Sequence, residues 1–402
     1  MQLSLLEPSL YHATTALGGL HRWYEFNESA SSPAPDPFIF RHYNKAIYHL
    51  VHPIKPLAKI VILIACYLFS SIEALYGDYI TSLRHVSSGI RLLLNGNDET
   101  NPQSYPMAAP SPSSSEGEQI EESLLQHFSR LDLQAATFNP EWDPSMMKST
   151  LICTTTTYFS TLEQARSLLT PLMLQIMAYK RFEGRGKSDD EESSDDTNAK
   201  DRLLDYLHQW SIAMEMWLVR NGSSLDHVEV DGSKSLKVLC AAAFIMLSVP
   251  VSAEEVTYDK FLPQFQEIVE LADSLTMLRT AIDTQPRLDF SHEIGIIPPL
   301  YLTGTKCRDP SVRRRALRLL VSSRRKEGVW ESQLAAKATE RIIACEEDGV
   351  SIRQCADLPE CRRIRNNWIQ TSSNSGRDAR VVLTRRPRPD ADLEVIVQDI
   401  LW

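Results

Sequence analysis

The chain has 402 residues, enough for one large domain or two ordinary ones, and its 43% hydrophobic and 23% charged content is ordinary for a soluble globular protein. Its net charge of −10 argues against an unaided grip on DNA, because Lys and Arg neutralising phosphate dominate such binding. The longest apolar runs, 60–69 and 239–251, fall short of the roughly 20 residues a membrane span needs. No basic-then-apolar leader opens the chain, so a soluble intracellular protein is expected.

Residues 1–29 and 37–96 are helical in pattern, separated by the helix-breaking loop SSPAPDP at 31–37. Tyr79, Ile80, Leu83, Val86, Ile90 and Leu93 follow a 3.6-residue period, with Asp78 as candidate N-cap and Gly96 as stop. Residues 97–122 are rich in Pro, Ser and acid and are predicted to be a disordered insertion within one fold. Helices resume over 123–182, notably 162–182. A second disordered insertion is predicted at 183–200, where the acid run 189–196 flanks Ser193 and Ser194. Those two serines are a candidate phosphorylation switch; a plain solvated loop is the preferred reading. Further helices are predicted over 201–220, 235–249 and 258–282.

The segment 289–347 is the most informative. Asp309-Pro310 is a helix start, since Asp caps free N–H groups and Pro at the first helical position loses no hydrogen bond. Val312, Ala316, Leu319 and Leu320 share one face of that helix. A second helix after Trp330 carries Leu334, Ala338, Ile342 and Cys345 inward and stops before Gly349. The expected product is a helical hairpin with a basic exterior. Lys306, Arg308, Arg313, Arg314, Arg315, Arg318, Arg324, Arg325 and Lys326 stand against one acid, Asp309. Arg313, Arg314, Arg315, Arg324, Arg325 and Lys326 are therefore candidates for a basic patch or import signal; pairing with the chain's own acids is preferred, because the planar fork of Arg suits carboxylates. Beyond a polar stretch at 370–380, Val381, Leu383, Leu393, Val395 and Val397 alternate with polar residues, which predicts a β-hairpin over 381–402.

Other chemistry is sparse. Seven scattered cysteines fit reduced structural thiols and offer no Cys-x-x-Cys pair for a zinc site. Gly186-Lys187-Ser188 resembles the end of a phosphate-binding loop, but position 181 is Arg where that loop needs Gly. His42, His49 and His52 lack metal-site spacing, and His292-Glu293 has no nucleophile beside it. Trp210, Trp217 and Trp330 are expected core anchors. No catalytic residue, cofactor or metal ligand is assigned.

The stretches "IIPPLY", "KCRDPSVRRRALRLL", "RRKEGVWES" and "ATERII" resemble the C-terminal part of the fungal-specific transcription factor domain. That domain is the helical regulatory region downstream of binuclear, six-cysteine zinc-cluster DNA-binding modules. Also in the expected order are "EPSLYHATTALGGLHR", "HYNKAIYHL", "CYLFSSIEALYGDYITSLRHVSSGIRLLL", "RLDLQAATF", "FSTLEQARSLL" and "YDKFLPQFQEIVELADSL". The resemblance spans nearly the whole chain and implies one mostly α, large irregular helical-bundle regulatory domain over 1–402, with a small C-terminal β-hairpin. It implies a nuclear regulator of metabolic or biosynthetic genes, working through other regulators or the transcription machinery, with a small-molecule effector as a further expected partner. The zinc-cluster module is missing from the sequence. A shortened product of a longer gene and a stand-alone regulator both fit that departure, and direct DNA binding by this chain alone is not expected. The competing readings are a helical ligand-binding protein or enzyme of another family, and a non-catalytic scaffold.

Overall fold

The computed structural model describes residues 7–26, 35–94, 115–146, 158–185, 194–282, 289–371, 377–388 and 390–402. Among these residues lie twelve α-helices and two three-stranded sheets, so the fold is mostly α. Eight helices come first: α1 (Pro8–Phe26), α2 (Pro37–Val51), α3 (Lys59–Tyr76), α4 (Tyr79–Leu94), α5 (Ser115–Phe138), α6 (Leu162–Gly184), α7 (Ser194–Asn221) and α8 (His227–Ser248). A 3₁₀ turn, Glu255–Phe261, leads into α9 (Leu262–Ile282). The C-terminal part then runs β1 (Asp289–Ser291), α10 (Ile297–Lys306), α11 (Pro310–Ser323), β2 (Arg325–Glu327), β3 (Trp330–Glu331), α12 (Ser332–Glu347), β4 (Ile364–Thr371), β5 (Asp378–Arg385) and β6 (Glu394–Leu401).

Helix ends follow their local chemistry. Asp309 accepts from the N–H groups of Ser311 and Val312 ahead of Pro310, as the sequence predicts. Asp78 accepts from the Thr81 N–H at 3.0 Å. Asp226 and Glu229 form a reciprocal capping box at the start of α8. Gly349, with φ of +67°, follows α12 in the left-handed conformation that ends helices cheaply only at glycine.

Three apolar clusters fill the interior. Leu10, Leu20, Ile39 and Phe69 join α1, α2 and α3. Phe128, Leu169, Trp210, Trp217 and Leu239 join α5 to α8. Phe265, Leu300, Leu320, Trp330, Leu334 and Val381 join α9 to α12 and the last sheet. α8 serves two of these cores at once: Leu236, Leu239 and Ala243 face one, and Val238, Ala242 and Ile245 face the other. α3 is long and apolar enough, by length and composition, to cross a bilayer, but 56% of it is buried inside the fold. Its apolarity is explained by contact with α1 and α4.

The pair α11–α12 is not a simple helical hairpin. A β-turn ribbon, β2–β3, joins them, and β1 adds to β2 in parallel, Phe290 opposite Lys326. Gly328 makes the turn at φ +57°, so close to the Gln134 side chain that a Cβ would overlap it. The ribbon is seated among the N-terminal helices. Lys326 donates to the Leu75 carbonyl at 3.2 Å, the Tyr79 hydroxyl donates to Glu331 at 2.7 Å, and the Trp330 indole donates to Thr137 at 3.0 Å.

The expected C-terminal hairpin is present as β5–β6, but it is two-thirds of a sheet ordered β4-β5-β6. The period-two reading fails on β5, where Val381, Val382, Leu383 and Thr384 are all buried. On β6 the sense is reversed: Val395 and Val397 face solvent, and Ile400 faces the core.

Of the two stretches expected to be disordered, residues 97–114 and 186–193 lie outside the described residues. Their flanks are helical. Residues 115–122 begin α5, and Glu121 pairs with Lys59 at 3.0 Å. Residues 194–200 begin α7, and 183–184 end α6. The resemblance to a phosphate-binding loop at 186–188 also lies outside the described residues, as does Ser193. Ser194 is the first residue of α7.

Candidate functional site

The basic stretch turns inward. Asp309-Pro310 starts α11 in a register that aims Arg313 back at α12, and the chain leaving α10 carries Lys306, Cys307 and Arg308 beneath the same helix. Arg308 Nη2 sits 2.9 Å from Glu346 Oε1 and 3.0 Å from Glu255 Oε2. Arg313 pairs with the other oxygen of Glu346, and its Nε donates to the Gly304 carbonyl at 2.8 Å. Lys306 Nζ contacts both Glu255 oxygens at 2.9 Å. Burial alone would raise the Glu346 carboxyl, but Arg308 and Arg313 outweigh it and hold the group down to about 2. Burial lowers Lys306 despite the opposing pull of Glu255. Three cations thus meet two carboxylates, with Glu347 on Arg313 and Arg314 as a third.

Three of the remaining basic residues are also matched, whereas Arg318 is exposed. Arg315 pairs with Asp273, Arg325 with Asp289, and Lys326 with Glu331 at 3.1 Å. Arg324 adopts left-handed backbone at the end of α11. Arg313 and Lys326 are buried, so the expected basic exterior of this helix pair is corrected in part: the cations that close the fold cannot also face solvent, while Arg318 does. Arg314 and Arg315 remain partly accessible beside their acids.

Below this network opens a cleft of about 860 Å³. One wall is β4, which lines it continuously over 365–371 along the strand's unpaired edge. The facing wall comes from the start of α4 (Tyr79, Ile80), the turn after α5 (Phe138 to Glu141) and the turn after α8 (Val249 to Ala253). Trp368 supplies an aromatic wall beside the amides Asn366, Asn367 and Gln370. Tyr301 fixes Asn367 by donating to its Oδ1 at 2.6 Å. The Lys306 ammonium lies 5.1 Å from the Tyr258 ring centre, a cation–π arrangement. Lys180 donates to the Val249 carbonyl and to Glu183, both at 2.6 Å, and burial lowers its pKa in spite of Glu183. Apolar and aromatic walls with a few oriented amides and ammonium groups are suited to holding an amphiphilic molecule of drug size. The described lining contains no Ser, Cys or His.

The other candidates resolve separately. His12, which the sequence did not single out, stands between His42 and His49: its Nδ1 is 3.1 Å from that of His42, and its ring stacks on His49 at 5.5 Å. Burial, then His42, Lys45 and His49, lower its pKa. His52 stacks on Tyr48. Among the described residues no group of three or more His, Cys, Asp or Glu is placed to hold a metal ion. His292 and Glu293 do not act as a couple. Glu293 turns to Arg130 and Arg166, whereas the His292 ring is buried without a hydrogen-bond partner and driven down to about 4 by burial and His127. Trp210, Trp217 and Trp330 are buried core anchors. The tryptophan that reaches the cleft is Trp368, whose sequence signal was an aromatic residue following two asparagines.

No family model matches the chain, and no solved structure matches it. Over 73 residues it is 37% identical to the aspercryptin biosynthesis cluster-specific transcription regulator atnN of Emericella nidulans. The matched stretch is 18% of this chain and spans 12% of that protein's length. Through that segment the chain is related to a fungal transcription regulator.

Proposed function

We propose that this chain is a fungal transcription regulator of the fungal-specific transcription factor type, acting in the nucleus on a biosynthetic or metabolic gene set. It works through contacts with other regulators or the transcription machinery and catalyses no reaction. The observation that carries this reading is the 37% identity over 73 residues to a cluster-specific regulator. The internal matching of most of the 306–326 cations supports a mechanism by protein contact, because charges committed to Glu255, Glu346, Glu347 and Asp273 are not available to grip phosphate.

The test is deletion of the gene followed by transcript profiling, with affinity capture of the chain from nuclear extract. The expected result is a coordinated change in one biosynthetic gene set together with recovery of transcription proteins. Unchanged transcripts and capture of metabolic enzymes alone would overturn the reading.

A second reading, a ligand-binding protein, is favoured by the 860 Å³ cleft. Under it, an amphiphilic metabolite raises the melting temperature of the chain, since a ligand bound only to the folded state stabilises it, and Trp368→Ala abolishes that rise. A metabolite extract that leaves the melting curve unmoved counts against it.

A further inference from the structure

The C-terminal sheet has two free edges among the described residues, and they differ. The β4 edge lines the cleft, with helices opposite. The β6 edge is open. Sheet edges in monomers are normally guarded by Lys, Pro or a bulge, since unpaired N–H and C=O groups recruit further strands. β6, read from 394 to 401 as EVIVQDIL, has neither Lys nor Pro, and its pairing with β5 runs without a register shift.

The exposed face of this edge is apolar. Leu393, Val395, Val397 and Leu401 are 43%, 60%, 56% and 74% exposed. Across the sheet, Val397 lies opposite Val382, and Val382 opposite Trp368, so an apolar band reaches the edge and stops there. The only charge on that face of β6, Asp399, is paired with Arg380 at 3.2 Å within the chain.

We propose that two copies of this chain pair antiparallel through β6, about a two-fold axis at Val397, forming one six-stranded sheet. The occupant follows from the pattern of the strand. A two-fold axis at Val397 places Leu393 against Leu401 of the second copy, Val397 against itself, and Val395 against Asp399. Glu394 then faces Ile400, so no like charges meet. Moving the axis to Gln398 sets Val397 against Asp399 and removes the central apolar pair. Cross-strand apolar pairs are the unit of sheet stabilisation, and like charges directly opposite are what a register must avoid. The proposal does not depend on the regulator reading.

The test uses the full chain. Sedimentation of the wild type at rising concentration, up to about 1 mM, should reveal a monomer–dimer equilibrium. Val397→Lys sets two ammonium groups face to face and should weaken association at least about tenfold, with an unchanged far-ultraviolet spectrum and, at concentrations where both proteins are monomeric, an unchanged melting curve. In Val397→Cys the paired Cα atoms would lie about 4.5–5.5 Å apart, within the range a disulfide spans. Diamide, which takes up the two thiol hydrogens, should then give a covalent dimer above the background of the unsubstituted chain, whereas Val395→Cys should not. A wild type that stays monomeric, a dimer indifferent to Val397→Lys, or cross-linking favoured at 395 over 397 would each overturn the proposal.

Discussion

Helices α1 to α3 and the C-terminal part 289–402 bury different chemistry. Around α1, α2 and α3 the interior is Leu10, Ala13, Leu20, Ile39 and Phe69, with only small hydroxyls such as Ser9, Ser70 and Ser71 among them. In 289–402 the buried set includes Arg308, Arg313, Lys326, Glu327, Glu331, Glu346 and Arg363. Apolar burial is non-directional and tolerates small shifts. Buried charges allow one arrangement only, because each must find its counterpart and its remaining hydrogen bonds. Glu327 illustrates this: its carboxylate accepts the N–H groups of Gly295, Ile296 and Ile297 while Arg325 lies 3.3 Å away. The first region is held by area, the second by pairing.

The sharpest way to break this comparison is Glu346→Ala. It leaves Arg308 and Arg313 buried without their shared acid and should cost about 3–5 kcal/mol in urea unfolding. The effect depends on pH in a defined sense. The folded pKa of Glu346, about 2, lies below the ordinary 4.5, so its contribution is whole above 4.5 and is lost as pH falls toward 2. The gap between wild type and variant should close over that window.

Leu20→Ala tests the apolar region and should cost about 2–4 kcal/mol, with no such closing in acid. His292, partly buried between the two parts against Tyr67 and Phe290 with its ring nitrogens shut off from solvent, sharpens the comparison further. Its folded pKa of about 4 is below the ordinary 6.5, so the unfolded chain binds the extra proton and stability falls as pH drops from 6.5 to 4. The loss should reach about 3 kcal/mol at roughly 1.4 kcal/mol per pH unit, and His292→Leu should flatten that limb of the pH–stability curve. The smallest effect is expected at the caps. Asp309→Ala and Asp226→Ala should each cost about 1 kcal/mol by urea unfolding, since capping contributes similarly whichever kind of interior lies below.

Much of the helical fold was legible because its signals are local. Asp309-Pro310, Gly349, Asp78 and the spacing of Leu203, Leu207, Trp210, Met214 and Trp217 each act within a few residues. Strand β4 was not legible: its sequence IRNNWIQT has no clean alternation, and it is a strand because β5 and α12 lie beside it. The start of α5 was misread because Pro, Ser and acid composition dominates 97–122, although Leu124, Leu125 and Phe128 continue the same helix. The cleft was invisible for a deeper reason. Its walls come from residues near 80, 140, 250 and 368, and no periodicity reports on segments so far apart. The His12–His42 contact likewise joins residues thirty positions apart. The pairing of Arg313 was foreseen as a category, from Arg geometry and the excess of acid, but its partner Glu346 was not.

The seating of the β2–β3 ribbon among α3, α4 and α5 has a consequence for how the molecule can be divided. Lys326 reaches the Leu75 carbonyl, Glu331 the Tyr79 hydroxyl and Trp330 the Thr137 hydroxyl. Made alone, a polypeptide carrying 289–402 would hold these groups without their receivers and fail to stay soluble. Supplied together as separate polypeptides, the two pieces carry complementary groups and should reassemble, which co-elution on a sizing column would check.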